Sequence, residues 1–363
     1  MTHPMLDVRG WQDANPDSSL VIADGAAVTV NLYDGMLVIK DGPRNNERTR
    51  RFAKVPRVMR HLAILSPHGY VSLDAQRWLA DCDVTWAIID RSGKQPRTLG
   101  ISGAVPNVKL MRAQALTGDG GPLAHVGVEI VRGFTRAKLT GQAANCELIG
   151  NILAAKEIGK CLDAVEITAT VEQMGGWEGK AAVEYWGAWK GLPVAWEYPK
   201  PMKSHWRAYP GRPTLRRSYA DNRGATDPVN ACLNFGYHVA ETECILALSA
   251  AGLSPDMGIA HSDKQGRASF ALDLLEVMRP EVDRLVLGLL SEPLVKAWFP
   301  EDTQGMVRVS SPLTHKIASD VRTAAGCLAA SVSATVAMLN KILRMILTLS
   351  IQGHRFSFQP VRW

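Results

Sequence analysis

The stretch His261-Ser-Asp-Lys-Gln-Gly-Arg-Ala-Ser-Phe-Ala-Leu-Asp-Leu-Leu-Glu-Val-Met-Arg-Pro280 decides how the larger part of this chain is read. From Arg267 onward its spacing predicts a helix that stops at Pro280. Ala271, Leu274, Leu275 and Met278 recur at i, i+3, i+4, i+7 and form a core face. Ser269, Asp273 and Glu276 fall on the opposite face, where Asp273 and Glu276 are i, i+3 neighbours whose carboxylates can address one point. His261, on the loop before the helix, can fold back to that point. An imidazole with carboxylates is a ligand set for Mg²⁺ or Mn²⁺. The same residues also fit a plain amphipathic helix with a solvated polar face.

Two upstream segments add candidates. In Gly175-Gly-Trp-Glu-Gly-Lys-Ala-Ala-Val-Glu-Tyr-Trp186 the glycine pair is expected to break one helix and put Glu178 at or near the start of the next. There the helix dipole favours a carboxylate, which could also point at a metal. A plain first-turn acid is the simpler reading, and Glu172 and Glu184 are rivals by chemistry. Asp227-Pro-Val-Asn-Ala-Cys-Leu-Asn-Phe-Gly-Tyr237 reads as a capped helix start. It places Asn230, Asn234 and Tyr237 on one face, bonding a neighbouring loop or a substrate phosphate. Structural hydrogen bonding is the expected role of the two asparagines.

Further outward, helical periodicity runs over Met111–Leu116, His125–Leu139, Ala144–Leu153 and Ala164–Met174, with loops at Gly191–Pro213 and Gly252–Gly258. Before residue 103 the texture is different. Ala27–Tyr33 and Met36–Lys40 are β-rich runs joined by Asp34-Gly35, a hairpin signal. Leu62–Leu65 and Val84–Ile89 are further strands, and Ser72 can cap a short helix through Trp78 and Leu79. The expected architecture is α+β, with a small β-rich domain over 18–103 and an all-α domain over 107–350. Gly353–Trp363 reads as a tail.

The 363 residues are 46% apolar and 21% charged, which excludes collagen, coiled-coil arrays and wholesale disorder. A net charge of +6 permits a polyanionic partner without requiring one. Two stretches concentrate it. Arg44–Arg60 carries Arg44, Arg48, Arg50, Arg51, Lys54, Arg57 and Arg60 against Glu47 alone. Lys200–Arg217 carries Lys200, Lys203, Arg207, Arg212, Arg216 and Arg217 with no acid, interleaved with His205, Trp206 and Tyr209. Cations neutralise phosphates and aromatic rings stack on unpaired bases, so such loops suit nucleic acid; two solvated loops are the plain alternative. The six cysteines form no C-x-x-C pair, which points to buried thiols in a reducing cytoplasm. The N-terminus has no signal pattern, and the uncharged run Ala324–Asn340 reads as a packed helix rather than a membrane span.

Taken together, four segments in order resemble the CRISPR-associated integrases of spacer acquisition, the Cas1 family. They are Glu178-Gly-Lys-Ala-Ala-Val-Glu-Tyr-Trp, Asp227-Pro-Val-Asn-Ala-Cys-Leu-Asn-Phe-Gly-Tyr, Gly252-Leu-Ser-Pro-Asp-Met-Gly-Ile-Ala-His261 and Arg267-Ala-Ser-Phe-Ala-Leu-Asp-Leu-Leu-Glu-Val-Met-Arg-Pro-Glu-Val-Asp283. The resemblance is strong over about 175–290, looser before, and weak after. It implies metal ligands at Glu178, His261 and Glu276, an assisting carboxylate at Asp273, and substrate contacts at Lys264, Arg267 and Ser269. It implies metal-dependent DNA integration and endonuclease activity with Mg²⁺ or Mn²⁺, in which the 3′-OH of a short duplex attacks a phosphodiester of the repeat DNA. The basic stretches, with Lys200, Lys203, Arg207, Arg216, Arg217 and Tyr237, would grip that DNA. It further implies a homodimer through the β-domain, bridged by a small second CRISPR-associated protein. A casposase-type transposon integrase, or a stand-alone integrase of the same fold, is the nearest alternative.

Overall fold

The computed structural model describes residues 20–351 except 43–46, 56–58, 60, 67, 90–98, 101–105, 119, 199–201, 213–223 and 304. Strands come first. β2 (Val28–Tyr33) and β3 (Met36–Asp41) form the expected hairpin, with Tyr33 opposite Met36. Asp34 and Gly35 both have positive φ, as a two-residue turn of this twist requires. β4 (Arg48–Phe52) pairs with β3, and β6 (Gly69–Val71) with β2. A second sheet orders β1 (Leu20–Ala23), β5 (His61–Ile64), β7 (Thr85–Ile88) and β8 (Leu99–Gly100), the first three parallel. α1 (Leu73–Asp81) starts where Ser72 Oγ accepts from the Ala75 N–H.

The second sheet is buried on both faces. Val21, Ala23, Leu62 and Ile64 point into the core shared with the hairpin sheet and α1, whereas Ile22, Leu65, Ala87 and Ile89 join the core of the helical part. This is why its strands are apolar runs rather than alternating ones.

The basic stretch expected to grip DNA is in part a strand whose arginines turn inward. Arg48 and Arg50 bind the fully buried carboxylate of Asp41 at 2.7 and 3.0 Å. A buried carboxylate requires such partners, and this use of Arg48 and Arg50 replaces the expected one. Lys54 pairs with Asp81 at 2.8 Å on the surface. Arg44, Arg57 and Arg60 lie outside the described residues, as does the expected tail.

The rest is helical: α2 (Val108–Ala115), α3 (Ala124–Leu148), α4 (Ile152–Ile167), α5 (Val171–Trp189), α6 (Pro228–Ala250), α7 (Ser269–Leu290), α8 (Leu313–Ala324) and α9 (Leu328–Ile351). Two expected breaks are absent. Gly175 and Gly176 lie inside α5, because its buried stripe of Met174, Ala181, Tyr185 and Trp189 outweighs a cost of about 1 kcal/mol per glycine. Pro280 lies inside α7, where it meets a glycine of α3: a Cβ on Gly141 would stand 2.5 Å from Pro280 Cβ. Asn145, one turn further along α3, donates to the Pro280 carbonyl at 2.8 Å. This crossing of α3 and α7 positions the site described next.

The span Leu313–Arg344 is long and apolar enough to cross a membrane by length and composition. Its Leu313, Ile317, Val321, Leu328, Val332 and Leu339 are buried in the helical core.

Candidate active site

Three helices bring the site together. α5 supplies Glu178 from its middle rather than its start, α7 supplies Glu276, and α3 supplies Lys138, which the sequence reading did not single out. The Lys138 ammonium donates to Glu178 Oε1 and lies 2.5 Å from Glu276 Oε2. That last oxygen is buried and accepts no hydrogen bond of proper angle. Glu276 Oε1 accepts from Arg279 Nε at 2.9 Å. Burial alone would raise the Glu276 carboxyl, but the charges of Arg279 and Lys138 outweigh it and hold it down, to about 2. On Lys138, burial disfavours the charge while the two glutamates more than offset it, so its pKa is raised. Glu276 and Lys138 are therefore both held in their charged forms, and Glu178, not Glu172 or Glu184, is the residue of α5 that meets Glu276 across a cation.

Asp273 does not share a focus with Glu276. Its buried carboxylate accepts the N–H groups of Ile259, Ala260 and His261 at 2.6, 3.1 and 2.8 Å. Its Oδ1 also lies 2.7 Å from His261 Nδ1. A carboxylate so placed accepts the ring N–H at Nδ1 and leaves the Nε2 lone pair for an electrophile. Asp273 is thus a positioning residue for His261. The loop closes tightly at Gly258, where a Cβ would meet the His261 carbonyl oxygen at 2.1 Å.

The other expected contact residues divide by burial. Lys264 is exposed on the loop before α7. Arg267 is half-buried and bonds the Ser262 carbonyl and Ser269 Oγ. Ser269 is fully buried and donates to Ser262 O at 3.1 Å, so it shapes the loop instead of meeting DNA. Tyr237 is likewise buried; its hydroxyl donates to Asp283, and its ring lies 4.8 Å from the Arg279 guanidinium and 5.2 Å from that of Arg212. Neither side chain is placed for the DNA contact expected of it. Trp206 and Tyr209 are core residues, which corrects their reading as base-stacking rings. The face shared by Asn230, Asn234 and Tyr237 binds a loop: Arg212 donates to Asn230 Oδ1 at 3.1 Å and Asn234 Oδ1 at 3.0 Å. Lys203 pairs with Glu301 at 2.5 Å on the surface, and Arg207 is exposed. Lys200, Arg216 and Arg217 lie outside the described residues.

Among the described residues no three His, Cys, Asp or Glu side chains form a ready-made metal cage. The donor chemistry nevertheless fits a hard divalent ion. Two glutamate side chains already converge on one cation, the Lys138 ammonium, and Glu276 stands one helical turn from the Asp273 that orients His261.

A strand-rich part thus backs a helical one in which two acids meet on one lysine and a third acid orients an imidazole, and the relatives of this chain are nucleic-acid-cutting and -joining enzymes. The family model described as CRISPR associated protein Cas1 matches residues 22–322, which span both domains and the whole site. The chain belongs to the Cas1 family of CRISPR-associated endonucleases and integrases. It is similar to the CRISPR-associated endonuclease Cas1 1 of Archaeoglobus fulgidus, with 31% identity over 305 residues, 78% of this chain and 81% of the relative. Its fold is similar to that of a casposase bound to integration product, with a TM-score of 0.67, 22% identity, and 84% and 82% of the two chains covered. It is also similar in fold to a chain of a Cas6-RT-Cas1–Cas2 complex, with a TM-score of 0.65 and 17% identity over 90% of this chain and 35% of that one.

Proposed function

We propose that this Cas1-family enzyme inserts short duplexes with 3′-OH ends into CRISPR repeat DNA by divalent-metal-dependent transesterification, in a prokaryotic cytoplasm. The observation that carries the reading is the convergence of Glu178 and Glu276 on one buried cation, with Asp273, one turn before Glu276 on α7, holding His261. Glu178, Glu276 and His261 Nε2 would hold Mg²⁺ or Mn²⁺. When bound, the ion would polarise the scissile phosphodiester and offset charge on the leaving oxygen. Asp273 fixes the imidazole, and Arg279 fixes Glu276 from the side away from Lys138. The attacking 3′-OH forms a new P–O bond as the repeat strand's P–O3′ bond breaks, and its proton passes to the departing 3′ oxygen. One phosphodiester replaces another, so no ATP is required. Water in place of the 3′-OH gives the endonuclease reaction. Lys264 and Arg207, both exposed, would meet phosphates of the duplex. A homodimer and a small bridging partner belong to the same proposal; the Cas1–Cas2 assembly of the fold neighbour supports the partner. The 31% identity to a Cas1 endonuclease favours spacer acquisition over a casposase role, where the likeness is one of fold.

The test mixes a labelled 3′-OH duplex, supercoiled plasmid and Mn²⁺ with wild type, His261→Ala or Glu178→Gln, with and without the small partner protein. Joined, nicked plasmid from wild type alone is expected, with losses of about 10²-fold or more in both variants. Equal joining by His261→Ala would place His261 outside the site. Silence from wild type even with the partner would make the chain a DNA-binding relative.

A further inference from the structure

Lys138 is an unusual neighbour for two metal-binding carboxylates. It projects from α3, its side chain is 8% exposed, and it sits between Glu178 at 30% and Glu276 at 12%. Two ionised carboxylates brought together with nothing between them repel each other, and in a half-buried site that repulsion is poorly screened. The ammonium removes it. An arginine in this place would lock both acids with a rigid fork, whereas a lysine is a point charge on a flexible stem and can leave.

A place to go exists. Gln142 lies one turn further along α3, so its side chain neighbours that of Lys138. Its Oε1 is buried and accepts no hydrogen bond among the described residues. Native proteins rarely leave such an oxygen unmet, and an ammonium displaced by one turn would meet it. Glu276 would meanwhile keep Arg279 at 2.9 Å, so one acid stays fixed while the more exposed Glu178 stays reachable from solvent.

We propose that Lys138 is a resident counter-cation of the metal site. It holds Glu178 and Glu276 converged in the metal-free protein, and a divalent ion enters by displacing its ammonium toward Gln142. The inference rests on the metal reading above and deepens it: metal occupancy is set by a competition internal to the chain, and Lys138 is a positioning residue rather than a ligand.

Mn²⁺ binding, followed by electron paramagnetic resonance of the free ion without DNA, separates the possibilities. Wild type, Lys138→Met, Lys138→Arg, Gln142→Leu and the Lys138→Met/Gln142→Leu pair are compared, with thermal melts to confirm folding. Lys138→Met should bind Mn²⁺ on the order of tenfold more tightly, because no ammonium competes. Its melting temperature should be lower without metal and rise more on adding it. Lys138→Arg and Gln142→Leu should bind more weakly than wild type, and Gln142→Leu should have no effect once Lys138 is methionine. Weaker binding by folded Lys138→Met would overturn the proposal, since Lys138 would then support the loaded site. If Lys138→Met does not fold, Gln142→Leu and Lys138→Arg decide: binding equal to or tighter than wild type in both overturns it, and weaker binding supports it. No Mn²⁺ binding by any folded protein at millimolar concentration would instead remove the metal reading on which the inference stands.

Discussion

Asp283 shows how far a single residue can depart from what its neighbours in sequence suggest. It closes the segment most similar to the Cas1 family, yet it is fully buried and accepts the hydroxyls of Tyr185, at 2.9 Å, and Tyr237. Burial pushes its carboxyl up to about 6, against the pull of the two tyrosines and of Arg212 and Arg279. An acid whose folded pKa lies above its unfolded value holds its proton longer in the native state. Its contribution is therefore least unfavourable below about pH 4 and becomes fully unfavourable above about pH 6. A rise from 3.8 to about 6 corresponds to roughly 3 kcal/mol. Asp283→Asn does not titrate there. Urea unfolding at pH 4 and pH 7 should show the variant gaining up to about 3 kcal/mol on wild type across that interval, whatever its absolute stability. A pH-independent gap would mean that Asp283 is ionised in the folded protein throughout.

At the scale of elements, the crossing of α3 and α7 is set by the absence of a side chain. Gly141→Ala would place a methyl 2.5 Å from Pro280 Cβ and force the helices apart, at about 1–3 kcal/mol. It would also draw Lys138 from Glu276, so joining activity should fall with stability. Gly133, on the same helix, has open space where its Cβ would be, so Gly133→Ala should stabilise by about 0.5–1 kcal/mol. Equal effects at the two positions in chemical unfolding would remove the packing argument. The same crossing explains what the sequence could and could not say. Turn chemistry is local, so the Asp34-Gly35 hairpin and the Ser72 cap were legible. Pro280 and the Gly175-Gly176 pair were read as helix ends, because what carries the helices through them is tertiary: Gly141 and Asn145 for one, the buried stripe of α5 for the other. Glu178 and Glu276 could be named, but not their common cation, which comes from a third helix. The available signal was a lysine in the core row of α3, between Phe134 and Gln142.

At the scale of the molecule, the strand-rich and helical parts are joined by a sheet buried on both faces and by a polar knot. Thr314 at the start of α8 donates to Asp24 Oδ2 at 2.6 Å, and the Asp24 N–H donates to Asp41 Oδ2 at 3.1 Å. Asp41 in turn holds Arg48 and Arg50, and Arg50 reaches the Ile22 carbonyl of β1 at 2.7 Å. Positive charge that could have faced DNA thus serves the junction of both sheets with the helical domain. Thr314→Val keeps the shape of the side chain and removes its donor, which leaves a fully buried carboxylate short of a partner at a cost of about 1–3 kcal/mol. Because the lost bond spans the strand-rich and helical parts, amide exchange should rise together in β1 and in the first turn of α8, with the α3–α7 crossing unaffected. Thr323→Val is the control: that hydroxyl is exposed and bonds only its own helix at Ser319 O, so its effect should stay within about 0.5 kcal/mol. Exchange that rises in α8 alone would show that the packed apolar faces hold the domains together without the Asp24 knot.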